Sequence, residues 1–155
     1  MKKKLDKNQM RLGYNAIVKR VDKKTGKVLD SEKIHNTIVN TGLNLVRDFL
    51  GDVSVNSPKY IAIGEDNTAV QNTDTALGTE NTRASSSINV GTDYQAVFSH
   101  TFSFGSSYTI TEAGLFDSAT ASGSTMYNRF VFSGKAVDTD TDLSVEITLT
   151  ISRTS

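Results

Sequence analysis

The sequence predicts a mainly β protein: an antiparallel β-sandwich, jelly-roll-like or immunoglobulin-like, with one short helix. Three observations carry this. From Tyr94 the even positions Tyr94, Ala96, Phe98, His100, Phe102 and Phe104 are aromatic or apolar apart from His100, while the odd ones are mostly Gln, Ser and Thr. That period of two is the signature of a strand with one buried face. Leu143, Val145, Ile147, Leu149 and Ile151 repeat the pattern near the end of the chain, alternating with Ser144, Glu146, Thr148, Thr150 and Ser152. The patterned runs are separated by polar turns, and the chain holds a single Pro, as expected of stacked antiparallel sheets.

Taken in order, residues 1–10 are charged and without period and are expected to form a flexible basic arm. Residues 11–155 are expected to form a single β-sandwich domain. It begins with a hairpin over 12–39, whose strands run Leu12–Val21 and Lys27–Val39, and Gly26 takes the positive-φ site of the turn. A helix is expected over 42–50, with Asn40 or Thr41 as N-cap and Gly51 just past its end. Leu43, Val46, Phe49 and Leu50 would form its apolar face, and Asn40, Arg47 and Asp48 would face water. Tyr60–Ile63 is apolar on both faces, which suits an internal strand ending at Gly64. Residues 65–79 form a long polar loop, either functional or wrapped against something. A weak strand over 81–90 follows, then strands from Tyr94, over Tyr108–Phe116, over Met126–Phe132 and from Leu143, with a second loop at 117–124.

Composition narrows the chemistry. With 155 residues the chain fits one domain and can bury roughly two-thirds of its extended surface without a staple. The absence of Cys excludes disulfides, thiolate metal sites and a Cys nucleophile. MKKKLDKNQM is basic but no apolar stretch follows it, so it does not read as a signal peptide. No run approaches the ~18 apolar residues of a membrane span, and no membrane partner is expected. The net charge of zero hides a division: residues 1–35 hold 11 basic and 4 acidic side chains, +7, and the other 120 hold 6 and 13, −7. Such a split can steer one end of the molecule onto an acidic partner through Lys2, Lys3, Lys4, Lys7 and Arg11. The plainer account is a solvated tail plus a hairpin whose lysines protect an edge strand. Nucleic acid is not expected, because only Tyr14 interleaves the basic cluster with an aromatic ring.

Catalysis requires titratable groups that converge, and the sequence offers few. His35 lies in the basic hairpin and His100 on an aromatic strand face, where packing is the plainer role. No phosphate loop or nucleophile elbow is present. Asp138, Asp140 and Asp142 open like a calcium loop, but Leu143 and Leu149 stand where Gly and Glu are required, so the segment reads as a solvated turn. The chain therefore reads as non-enzymatic, with no cofactor and no metal. Glu112 sits in an apolar strand and must be paired, because an unpaired buried carboxylate costs several kcal/mol or more. Arg83 is the expected partner, forming a structural ion pair, although Glu80 lies three residues from Arg83 and is a competing partner.

The order of segments resembles that of small virion structural proteins of tailed bacteriophages. The stretches concerned are Asn36–Leu50 (NTIVNTGLNLVRDFL), Tyr60–Gly64 (YIAIG), Thr73–Glu80 (TDTALGTE) with Arg83 after it, and Thr111–Phe116 (TEAGLF) before an alternating terminal strand. The resemblance spans about residues 12–153 and rests on order and spacing. It implies a protein made in the host bacterial cytoplasm and located in the virion, as a capsid decoration or cement protein, or a tail-fibre or baseplate module. It further implies contact with a major capsid protein or tail components, and a homo-oligomer with a trimer as one arrangement. It implies no catalytic residues. A carbohydrate-binding β-sandwich is the remaining alternative, weakened by the absence of Trp.

Overall fold

A computed structural model describes residues 9–91 and 93–153. Ten strands and one helix follow in the order β1 (Met10–Asp22), β2 (Val28–His35), β3 (Thr37–Ile38), α1 (Asn40–Leu50), β4 (Tyr60–Gly64), β5 (Glu80–Ser85), β6 (Ser87–Val90), β7 (Gln95–Phe102), β8 (Tyr108–Phe116), β9 (Met126–Val137) and β10 (Thr141–Arg153). They form two five-stranded antiparallel sheets packed as a sandwich: sheet A in the order β2-β1-β10-β7-β6, sheet B in the order β3-β9-β8-β4-β5.

The alternating rows do what their period demands. In sheet A, Tyr14, Ala16 and Val18 of β1 stand opposite Leu149, Ile147 and Val145 of β10, and these in turn opposite Ala96, Phe98 and His100 of β7. Sheet B contributes Ile61, Ile63, Leu115 and Phe130 to the same core. Val145, Ile147, Ile61 and Leu115 are fully buried, each removal from water contributing about 1.5–3 kcal/mol.

Seven or eight strands are expected and ten are present among the described residues, because two of the expected strands each divide between the sheets. Lys27–Val39 breaks at Asn36: its amide donates to the Tyr14 carbonyl at 3.3 Å, and Thr37 and Ile38 then pair with Arg129 and Asn128 of sheet B. The 81–90 run breaks at Ser86, whose amide and hydroxyl both donate to the Lys59 carbonyl. Period-two patterning cannot register such a crossing, because both halves keep one apolar face toward the same core. Gly26 has φ of 69°, as the β1–β2 turn requires, and Asp22 accepts from the Lys24 and Thr25 amides.

The helix departs from expectation. Its N-cap is Val39, without a side-chain cap, and the Thr41 hydroxyl donates instead to the Met126 carbonyl at 2.7 Å. Gly42 sets the buried face, since a Cβ there would lie 2.1 Å from the Tyr127 carbonyl oxygen. Leu45 and Val46, three and four residues on, follow it inward. Leu43, Phe49 and Leu50 are consequently left 45–76% exposed. Asn40 and Arg47 face water as expected, whereas Asp48 is half-buried and paired with Arg47. Gly51 has an ordinary φ of −88°, and the left-handed position falls on Asp52.

Candidate functional site

The largest convergence of charged side chains among the described residues is on the outer face of sheet B, around Glu112 and Arg129. There Ala62, Phe116 and Met126 form a second, small core with Val39 and Leu77. Leu77 belongs to the polar stretch 65–79, which lies over this face as a strap. That covering explains why YIAIG and TEAGLF are apolar on both sides. The Asn72 carbonyl ties the strap to the start of α1 by accepting from the Asn40 amide at 2.8 Å.

Glu112, with no exposure, fixes the strap from beneath. Its Oε1 accepts from the Thr79 amide at 2.8 Å and the Asp66 amide at 3.3 Å. Its Oε2 accepts from the Gly78 amide at 3.0 Å and from Arg129 Nε at 2.9 Å. The guanidinium of Arg129, whose side chain is 4% exposed, continues to Asp74 at 2.9 Å and Asp66 at 3.3 Å. One cation thus joins a strand carboxylate to two strap carboxylates. Burial opposes the charge of Arg129, but hydrogen bonds to Asp74 and Glu112 outweigh that and raise its pKa. The Asp66 carboxyl is held below its ordinary value, first by hydrogen bonds from the Thr68 hydroxyl and amide and then by the nearby Arg129 charge. Two glycines permit the close fit. A Cβ on Gly64 would lie 2.4 Å from the Thr79 carbonyl oxygen, and one on Gly78 would lie 1.7 Å from Asp66 Oδ2.

The expected Arg83–Glu112 pair is therefore not formed. Glu112 pairs with Arg129, and Arg83 pairs with its neighbour Glu80, two hydrogen bonds of 2.7 Å joining the guanidinium to the carboxylate. The reason is register: Arg83 stands opposite Ala62 on β5, whereas Arg129 of β9 stands opposite Gly114 of the Glu112-bearing strand itself. Arg83 has another task. It donates to the Ser118 and Thr120 carbonyls at 2.9 and 3.2 Å, and its guanidinium lies 4.2 Å over the Phe116 ring. Arg83 thereby holds the 117–124 loop, while Glu112 and Arg129 hold the strap.

A second cluster closes one side of the sandwich. Lys135 Nζ of β9 reaches Glu32 at 2.8 Å and Asp30 at 3.3 Å on β2, and Asp30 also accepts from Arg20. Burial opposes ionisation of Asp30 and Glu32, yet the Lys135 bonds, with Arg20 on Asp30 and Ser133 on Glu32, lower both pKa values. The same carboxylates overcome burial to raise that of Lys135. Tyr14, in the core, is pushed up to about 12 by burial.

The remaining sequence candidates are dispersed. His100 packs edge-on against Phe102, with centroids 4.6 Å apart, on the inner face of sheet A, remote from Glu112 on the outer face of sheet B. His35 is exposed at the end of β2. Asp138 and Thr141 close the β9–β10 turn, with the Asp140 amide bonded to the Asp138 carboxylate. Arg11 is exposed on β1 opposite Ser152, whereas Lys2, Lys3, Lys4 and Lys7 lie outside the described residues. Arg129, Asp66 and Asp74 were not anticipated. The signal for Arg129 was nonetheless the one that singled out Glu112, a lone charge in an apolar strand run.

The arrangement defines a two-sheet antiparallel sandwich strapped across one outer face by an internal ion cluster. No family model matches the chain, and neither the curated proteins nor the solved structures provide a match.

Proposed function

We propose that this chain is a non-enzymatic structural protein of a tailed-bacteriophage particle. In this reading it decorates or cements the capsid, and residues 1–10 anchor it to an acidic surface of the major capsid protein. The observation that carries the reading is the charge division: residues 1–35 sum to +7 and the other 120 to −7, with four lysines against one aspartate in residues 1–10. The body gives this a physical context, because its interior charges bind one another. Both oxygens of Glu112 are engaged and the group has no exposure, so it serves as a fastening between strand and strap. A basic N-terminal segment suits attachment to an acidic partner surface.

A tail-fibre or baseplate module is the second reading. It is favoured by the way Arg83 and Arg129 order the 117–124 loop and the strap, since pre-ordered loops bind a partner at less entropic cost. The deciding experiment adds full-length and Δ1–10 protein to particles lacking it. The anchoring account predicts a large drop in occupancy on deletion and loss of binding at raised salt; unchanged occupancy contradicts it. Imaging the decorated particle separates head from tail.

A further inference from the structure

The two edges of sheet A are unlike. The β2 edge carries Asp30, Glu32 and Lys33, the kind of charge that blocks strand-to-strand association. The β6 edge, Ser87–Val90, carries no charge, and all four of its residues are exposed. Ile88 and Val90 stand opposite Phe98 and Ala96, on the apolar face of the sheet, yet are 45% and 77% exposed; Tyr94, at the tip of the β6–β7 hairpin, is 75% exposed. These are three large apolar or aromatic side chains left open to water beside one sheet edge.

The backbone adds a direction. The Gly91 amide donates to the Gln95 carbonyl, and the Ile151 amide donates to the Tyr94 carbonyl on the other side of β7. Because antiparallel ladders alternate, Ser87, Asn89 and Gly91 turn their polar groups toward β7, and Ile88 and Val90 turn theirs away from the sheet. We propose that β6 is a self-pairing edge. Two copies of the chain join antiparallel about a two-fold axis at Asn89, so that sheet A continues into its mate as one ten-stranded sheet. This register alone uses both outward-facing residues: Ile88 of each copy meets Val90 of the other, with their N–H and C=O groups exchanged and their side chains adjacent on one face. The pairing is isologous and closes at two copies. It does not depend on where the protein resides. A contact of one four-residue edge strand from each copy falls below the ~800 Å² per partner of a standard interface and gives a dimer that dissociates on dilution.

Sedimentation velocity on the full chain over a concentration series tests this. The expected result is a monomer–dimer equilibrium, weakened about tenfold or more by Val90→Pro, which removes an outward donor from each copy. The fold should survive that change, because the Val90 amide takes no part in pairing with β7; an unchanged near-ultraviolet circular dichroism spectrum verifies it. Val90→Lys should also give monomer, whereas Leu50→Lys on the exposed face of α1 should leave the dimer intact. A chain that stays monomeric at its highest soluble concentration, or a dimer or trimer indifferent to Val90→Pro and Val90→Lys, overturns the proposal.

Discussion

Arg129 and Lys135 lie on the same strand, and each gathers carboxylates from a distant part of the chain, but their surroundings differ. The Arg129 cluster includes Glu112 with no exposure, under the strap. The carboxylates on Lys135, Asp30 and Glu32, keep 36% and 30% of their side-chain surface in water. If either cation is removed, the stranded carboxylates can rehydrate at the Lys135 cluster, whereas Glu112 cannot without lifting the strap. The difference teaches that the cost of breaking an ion cluster is set by whether water can replace the lost partner.

The comparison is broken most severely by Arg129→Met, which should destabilise the protein by about 3–5 kcal/mol in denaturant titration because it strands a buried carboxylate. A loss below that at Lys135→Met would refute the contrast. Gly64→Ala should come next, at about 1–3 kcal/mol, since the new methyl must displace the Thr79 carbonyl and with it the strap. Faster proteolysis within 65–79 would trace the effect to that segment. Lys135→Met should cost only about 1 kcal/mol or less, because the methionine fills the buried site and the Asp30 and Glu32 carboxylates stay open to water.

The smallest effect is on pH dependence. Asp30 and Glu32 are depressed in the folded protein. Their contribution is therefore complete above the unfolded carboxylate values of about 4 and is lost as pH falls through the lower folded values. Lys135 is raised, so its contribution holds below about 10.4 and disappears only as pH rises through the higher folded value. Melting temperatures measured across this range should form a plateau between the two limits. The acid limb should be shallower in Lys135→Met, because the two carboxyls then titrate nearer their unfolded values; an acid limb of unchanged slope would deny Lys135 its role.

Much of the fold was legible in the sequence. The alternating rows at 94–104 and 143–151 identified β7 and β10 because each buries one face against a single core. Tyr60–Gly64 announced burial on both sides, but not by what. The cover came from the polar 65–79 stretch, whose one large buried anchor is Leu77; its other attachments are backbone groups, which look alike in any sequence, and the Asp66 and Asp74 carboxylates, which do not announce Arg129 as their partner. Glu112 advertised the need for a cation; choosing between Arg83 and Arg129 required the strand register. The helix was found but its face misjudged, because Gly42, the residue closest to β9, carries no apolar side chain to mark it. The splits at Asn36 and Ser86 are invisible to periodicity for the reason given above.

The central claim is that the 65–79 segment is fastened structure, held by Glu112 as firmly as the sheet beneath it. Native-state hydrogen exchange at the Gly78 and Thr79 amides tests this most directly. The account predicts opening free energies close to those of the β8 and β9 amides, falling selectively for the strap in Glu112→Gln. Exchange of these two amides at the rate of an open loop in the unaltered protein would contradict it.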